Sequence, residues 1–597
     1  MQRQRPEIRG WRQGVTEVPV PPETMRVAAR LPARLAGEML LWAVLAVGVL
    51  AVAIVPLIYA INIAFYQETR LGLSTVRSLA AIVDVYATAE YLGYVAQAMV
   101  LAALVTMASM VLGVTLALLI VRTDIPGKIP LDLCTMLPLF LSPFTGLIAW
   151  LNLGSEKTGF INVAASAIME SLGIPSAPLV NLMSYFGVVW VMVLFFSPFA
   201  YLFTVGNLRG MDSLLEDAAR TSGATALGTL WQVTLPLVLP AIFASGLLIF
   251  VLAAETYTIP GIVGTTVGFT VLPWKIYLDS TTFPVRLAHA AAASTILLWI
   301  TAAGVLLQRH ITRVSERFVT LGAKGHQSRP LRLGRWKWLA LGFVGLYVLC
   351  ADVLPFGALL LSSFMRYSAS SLTTDVFTLQ QYIDVFNLQN TREALWNTVW
   401  LALLSAAICA VAGALISFME VRQPSVWTNM LALFSVLPVA VPGLVYGIGL
   451  MWLYLRTALY GTAWILLLAY IAKFLPFSVV VSRSGILQIH SELEESARVS
   501  GATGLVALRH ITLPLLQPTL ISILFFIMLM SIKELSASVL LYSDRGQVLS
   551  VLTWHYMASG NYQFAAALGV IQTVIMLAIV IVTRAIFRVE LEHALSK

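Results

Sequence analysis

Apolar residues along this chain gather into twelve runs, at roughly 39 to 65, 94 to 121, 131 to 152, 181 to 206, 236 to 256, 288 to 308, 338 to 364, 394 to 420, 427 to 455, 461 to 481, 514 to 541 and 564 to 587. At 1.5 Å per helical residue, about 20 apolar residues cross a hydrocarbon core of about 30 Å, so each run predicts a membrane-spanning helix. A basic, polar stretch from Arg309 to Lys337 separates the sixth run from the seventh. The predicted organisation is an amino-terminal segment 1–38, a six-helix half 39–308, a linker 309–337, a second six-helix half 338–589 and a tail 590–597.

Composition supports this: 59% of the residues are apolar and 11% charged, against about 25% charged in soluble domains. A water-soluble fold is excluded. The first apolar run ends without a small-residue cleavage site, which predicts an uncleaved first span instead of a signal peptide. The formal charge of +8 sits in segments between apolar runs, where it sets orientation and gives no nucleic-acid surface. Arg residues of the amino-terminal segment, the basic linker, and Arg584 and Arg588 of the tail fall on one side if each half has an even number of spans. That side is cytoplasmic by the positive-inside rule, so both termini are expected inside and the halves run parallel. Cys134, Cys350 and Cys409 lie in apolar runs without paired spacing, and the seven histidines show no metal-ligand spacing. No metal site is expected.

The most informative pattern is polar. Glu216 to Ile242 reads EDAARTSGATALGTLWQVTLPLVLPAI, and 278 positions later Glu494 to Leu520 reads EESARVSGATGLVALRHITLPLLQPTL. About half of the aligned residues are identical. Both copies lie between the fourth and fifth run of their half, and both are predicted to be cytoplasmic. A repeat this close in a polar loop argues for one job done twice. Each copy predicts a short helix, a turn at Gly223 or Gly501, a second short helix, and entry into the next span at Pro236 or Pro514, with Pro240 or Pro518 placed to kink it. Glu216 with Arg220, and Glu494 with Arg498, stand four apart and can pair. Small residues, among them Ala219 and Ala497, leave room for a second surface. Amphipathic anchors lying on the bilayer would need no matched Glu, Gly and Pro.

No phosphate-binding G-x-x-x-x-G-K-[ST] loop is present; Gly322 to Ser328, GAKGHQS, fails the spacing. Nor does any nucleophile, paired-carboxylate or nucleotide-cradle pattern suggest catalysis by this chain. Charges inside spans cost about 2.5 to 3.5 kcal/mol each and are functional candidates. Glu255 with Tyr257 near the end of the fifth run, and Lys533, Glu534 and Ser536 near the end of the eleventh, occupy corresponding places; Lys473 is a lesser case. Facing one another they would line a central pathway, but helix-end charges reaching the interface, or an ion pair joining the halves, fit equally.

The E-x-A-A, SGA and leucine-proline pattern resembles the coupling loop of permeases of type I ATP-binding cassette importers, with Ser496 in place of the first alanine in the second copy. That resemblance implies an all-α type I permease fold of about twelve transmembrane helices in two parallel repeats, and coupling roles for Glu216, Ala219, Gly223, Glu494, Ala497 and Gly501. It implies two ATP-binding cassette ATPase subunits that use the ATP, an extracytoplasmic solute-binding protein, no cofactor on this chain, and a bacterial inner-membrane location. The fused layout, KELSASVLL at Lys533 to Leu541 and ETYTIPGIVG at Glu255 to Gly264 are most similar to the group of ferric-iron permeases and their thiamine, aminoethylphosphonate and polyamine relatives; ferric iron is the expected cargo. One copy of the chain should complete the pore. An ion-coupled secondary transporter is the rival class, but it needs no repeated cytoplasmic loop.

Overall fold

The structure, a computed structural model, describes residues 40–316 and 331–587 apart from 41, 70–71, 176, 212, 370–373 and 545. Most of the expected linker and both chain ends therefore lie outside the described residues. The chain divides into two compact units, Met1–Gly48 and Val49–Lys597, and the second holds the helices that position the sites.

Among the described residues ten helices are long and apolar enough to cross a membrane. In chain order they are span 1 (Trp42–Ile63), span 2 (Ala89–Arg122), span 4 (Tyr185–Gly210), span 5 (Leu227–Glu255), span 6 (Leu287–Gln308), span 7 (Trp336–Ser363), span 8 (Gln389–Arg422), span 10 (Ala463–Leu487), span 11 (Leu508–Ile532) and span 12 (Tyr562–Thr583). Spans 3 and 9 are each a bent pair: Lys128–Leu139 with Pro143–Gly154 at 100°, and Val426–Ala440 with Gly443–Tyr454 at 112°. Each of these two apolar runs is thus one crossing broken by a bend. Prolines 143 and 442 cause the breaks, because a residue before proline is driven out of the helical region; Ser142 and Val441 are both extended. Each bend exposes a carbonyl that needs a donor, and both are satisfied from the opposite half: Lys533 Nζ donates to Leu139 O, and Thr301 Oγ1 to Ala440 O.

The two halves match closely. Helix Ala89–Arg122 and helix Gln389–Arg422 are offset by 300 residues, whereas helix Ser213–Thr221 and helix Ser491–Val499 are offset by 278. The missing 22 positions (300 − 278) lie between spans 3 and 4, where the first half carries an extra helix, Phe160–Ser171. Buried Asn162 pins that helix by donating to the carbonyls of Ser155 and Val180 and accepting from the Val180 amide.

Four proline residues, Pro56, Pro236, Pro355 and Pro514, each follow a five-residue π-turn by two positions. A proline lacks the N–H that would bond four residues back, and the wider turn absorbs the gap. Pro236 and Pro514 therefore stand within continuous rods, although their spacing alone placed them at helix starts. The first spans are exchanged between halves: from Val49 on, span 1 packs on span 9, and span 7 packs on span 3. Tyr446 Oη donates to Ala53 O at 2.6 Å, and at Gly449 a Cβ would stand 2.1 Å from Pro56 O, so only glycine allows that approach.

Candidate functional site

Two regions carry the predicted residues. The first is the repeated elbow. Helix Ser213–Thr221, Gly223 and helix Ala226–Thr229 form one copy; helix Ser491–Val499, Gly501 and helix Gly504–Ala507 form the other. Gly223 and Gly501 have φ of 91° and 88°, a left-handed conformation that a Cβ disfavours. Ala224 N donates to Ala219 O, and Ala502 N to Ala497 O, each closing its first helix across the turn.

Glu216 and Glu494 do not lie on the open face of the elbow; each is 3% exposed. Glu216 accepts from Thr234 Oγ1 at 2.7 Å and faces Arg122 Nη2 at 3.4 Å. Glu494 accepts from Thr512 Oγ1 at 2.8 Å and from Arg422 Nε at 3.0 Å. The arginines close spans 2 and 8 and are anchored in turn: Arg122 Nη2 donates to Leu208 O, and Arg422 Nη2 to Ile486 O and Ile489 O. Thr234 and Thr512 end the π-turns before Pro236 and Pro514. Each elbow is consequently braced to the end of one span and the start of another. A buried carboxylate held by a guanidinium and a hydroxyl fixes position, since loss of any partner leaves a charge or a donor stranded. The i to i+4 spacing had offered Arg220 as the partner of Glu216; the structure adds Arg122 and Thr234 from outside the elbow helix. The Arg498 side chain lies outside the described residues.

Beside the exposed carboxylates Glu492 and Glu495 of the second copy, the elbows expose small and apolar residues. Leu215, Ser222, Gly223 and Leu227 of the first copy and Leu493, Ser496, Val499 and Ser500 of the second are exposed, while Ala219 and Ala497 are half-buried. That surface suits close approach by a second body.

The second region lies where the halves meet. Lys473 Nζ, on span 10, pairs with Glu534 Oε2 at 2.7 Å, and Glu534 Oε1 accepts from the Ala537 amide at 3.0 Å. Glu255, at the end of span 5, lies within electrostatic reach of both Lys473 and Glu534. Lys533 turns away from this group to donate to Leu139 O at 2.6 Å. Ser536 packs against Gly443, where an added Cβ would stand 2.7 Å from Ser536 Cβ and 3.1 Å from Lys473 Nζ. Tyr257 is buried among aromatic rings, with centroids 5.5 Å from Tyr277 and 5.9 Å from Trp554. Trp274 completes the stack, 5.0 Å from Tyr277. Helix Leu272–Thr281 and helix Leu549–Ala558 are counterparts offset by 277, which makes Tyr277 and Trp554 equivalent positions. They touch: Trp554 Nε1 donates to Tyr277 Oη at 3.3 Å. Of the five residues singled out in the sequence, Tyr257 packs on Trp554 of the other half, Glu255 lies within electrostatic reach of Lys473 and Glu534 there, and Lys533 reaches the bend of span 3, while Glu534 pairs and Ser536 packs within their own half.

Sequence reasoning missed Arg122, Arg422, Thr234 and Thr512, although signals existed: both arginines end an apolar run, and T-L-P recurs in both copies. Trp274, Tyr277 and Trp554 had no such signal. Among the described residues no group of three or more His, Cys, Asp and Glu side chains could hold a metal ion.

Comparison with known proteins agrees with this anatomy. The model of the family described as "Binding-protein-dependent transport system inner membrane component" matches residues 111–316 and again 409–590. The "Ferric transport system permease protein FbpB" of Actinobacillus pleuropneumoniae is 25% identical over 405 residues, 66% of this chain and 57% of that protein. The "Probable ABC transporter permease protein y4fN" of Sinorhizobium fredii is 27% identical over 468 residues, 76% of this chain and 79% of that one. The "Fe(3+)-transport system permease protein FbpB 2" of Haemophilus influenzae is 22% identical over 469 residues, 78% and 84% respectively. The chain spans little more than half the length of the first of these relatives. Because the family model covers well over half of the sequence, in one copy per half, the chain belongs to the family of inner-membrane components of binding-protein-dependent transport systems.

Proposed function

We propose that this chain is the complete membrane pathway of an ATP-driven importer, with ferric iron as cargo. Two ATP-binding cassette subunits supply the energy from the cytoplasm, and a solute-binding protein delivers cargo on the other side. Both termini and both elbows face the cytoplasm of a bacterial inner membrane. The observation that carries this reading is the pair of elbows, alike in sequence and braced by the same Arg, Glu and Thr in both halves. A rigidly held lever transmits displacement to the spans it joins; a loose loop would absorb it. The ferric cargo is supported by the names of two of the relatives above.

In this reading Glu216, Ala219, Gly223, Glu494, Ala497 and Gly501 couple the ATPase to the spans. Glu255, Tyr257, Lys533, Glu534 and Ser536 line the closed pathway where the halves meet. Closure of the ATPase dimer draws the elbows together and parts the Tyr277 and Trp554 contact, opening the pathway to the binding protein; hydrolysis resets it. The chain binds no cofactor of its own and performs no chemistry on its cargo.

Co-purification tests this. Wild-type chain should retain its ATPase subunits through affinity capture, and the double variant Gly223→Trp with Gly501→Trp should release them while its spans stay folded, the strain of a Cβ being confined to the two left-handed turns. Retention by the double variant would overturn the coupling role, and purification of active wild-type carrier without any ATPase would overturn the importer reading.

A further inference from the structure

A further feature occurs at only one of two pseudo-equivalent places in the fold. A cavity of about 440 Å³ opens between spans 3, 7 and 12. Its walls are apolar, with Phe140, Phe356 and Leu577 among them, and three ionisable residues stand in the lining: Asp132, Arg209 and Asp352. Leu133, Leu137, Val574 and Ile581 of the same lining are exposed, which makes the mouth lipid-facing in a bilayer.

Asp352 is 8% exposed, and neither carboxylate oxygen has a hydrogen-bond partner among the described residues. Arg209 Nη2 pairs with Asp132 Oδ2 at 2.7 Å, and Tyr201 Oη donates to the other oxygen of Asp132. One bond leaves most of the five guanidinium donors of Arg209 uncommitted to Asp132, and its side chain is 37% exposed. The pseudo-equivalent positions hold no charge. Asp352 and Ala53 are the fourth residues of matching π-turns, Asp132 corresponds to Ala432 across the matching bends of spans 3 and 9, and Arg209 corresponds to Leu487 before the elbows. Three ionisable side chains within or beside an apolar cavity are costly, and the duplicated fold manages without them in its other copy. An occupant of the cavity that satisfies them would account for their place here.

The occupant must bring a cation with N–H donors to Asp352, an anion to the exposed edge of Arg209, and an apolar body for the walls, and it must enter from the bilayer. We propose that the cavity is a binding site for a zwitterionic aminophospholipid: its phosphate meets Arg209, its primary ammonium donates to Asp352, and its acyl chains lie along span 12. A trimethylammonium head offers no N–H and an anionic head has no cation, so phosphatidylcholine and phosphatidylglycerol should both be poor ligands. The shared aminoethyl-phosphate chemistry also exists as free phosphoethanolamine, but that molecule has nothing for the apolar walls.

The test uses the full chain, purified and reconstituted in discs containing phosphatidylethanolamine, phosphatidylcholine and phosphatidylglycerol, with retained lipid counted by native mass spectrometry. Wild type should retain phosphatidylethanolamine over phosphatidylcholine, and Asp352→Asn should reduce that preference by about tenfold, the worth of one charged hydrogen bond. Asp352→Leu, which removes the polar burden altogether, should lose the preference without losing thermal stability, whereas Ala53→Asp should leave it unchanged. Equal retention of the two lipids by wild type, undiminished preference in Asp352→Asn, or an infrared band of a protonated Asp352 carboxyl in the presence of phosphatidylethanolamine would each overturn the site. Displacement of the lipid by millimolar free phosphoethanolamine would overturn its assignment to a lipid.

Discussion

Glu216→Ala is the substitution whose consequence the structure defines most closely. The carboxylate faces Arg122, whose guanidinium is itself buried and also donates to Leu208 O, with Nε unpartnered among the described residues. Removing one member of a buried pair costs about 3 to 5 kcal/mol, because the remaining charge loses its compensation. Glu494→Ala should cost less, about 1.5 to 3 kcal/mol, the worth of a charged hydrogen bond, since Arg422 keeps the carbonyls of Ile486 and Ile489. These costs fall on the elbow and not on the whole bundle. Amide hydrogen exchange should therefore quicken by about a hundredfold or more in peptides covering 213–229 after Glu216→Ala, and by a smaller factor in peptides covering 491–507 after Glu494→Ala. Thr234→Val, which removes one neutral hydrogen bond worth about 1 kcal/mol, should give about a fivefold change. The paired replacement Arg122→Met with Glu216→Leu should restore protection, as apolar substitutes for buried ion pairs commonly do. Unchanged exchange at the first elbow in Glu216→Ala would refute the brace, as would equal effects in the two halves.

Further expectations concern the meeting of the halves and the rim that carries Glu68 and His289. Lys473→Met strands Glu534, which is 6% exposed, and should lower stability by about 3 to 5 kcal/mol, seen as a fall in thermal unfolding temperature that a second change, Glu534→Gln, largely reverses. Gly443→Ala forces Ser536 and Lys473 to shift, at about 1 to 3 kcal/mol for an overpacked site, whereas Gly461→Ala, with nothing within 4 Å of the added Cβ, should show only the backbone strain of its positive φ. Glu68 is pushed upward by burial, but His289, through side-chain and backbone hydrogen bonds and its charge, together with the Ala288 amide, holds its carboxyl below the usual value of 4.5. A depressed folded-state value stabilises above the unfolded one and is lost on acidification. Stability should accordingly drop as pH falls below about 4.5, and Glu68→Gln should flatten that part of the unfolding profile.

Much of this architecture was legible in the sequence because a bilayer imposes one simple demand, a run of about 20 apolar residues per crossing. The six-plus-six division and the duplicated elbow follow from that demand and from the 278-residue repeat. Hydropathy alone could not size the bends in spans 3 and 9, since apolar content is the same on both sides of Pro143 and Pro442, although the prolines and glycines clustered there mark a break in each run. It gave no hint that first spans are exchanged, because packing partners do not alter the pattern along a span. The role of Glu216 was half visible. Its repetition marked it, yet an i to i+4 rule sees only its own helix, and Arg122 lies 94 residues earlier (216 − 122). The aromatic contact of Tyr277 with Trp554 was invisible because the two residue types differ, and only the superposed register of their helices shows them to be equivalent.

Uptake by sealed vesicles tests the central claim most directly. The chain would be reconstituted with its ATPase subunits and binding protein, and entry of ferric iron followed with ATP supplied on the elbow side. Uptake is predicted to require ATP and both partners, and to fall sharply when Glu216→Ala and Glu494→Ala are combined. Uptake driven by an imposed ion gradient, by this chain alone and without nucleotide, would contradict it.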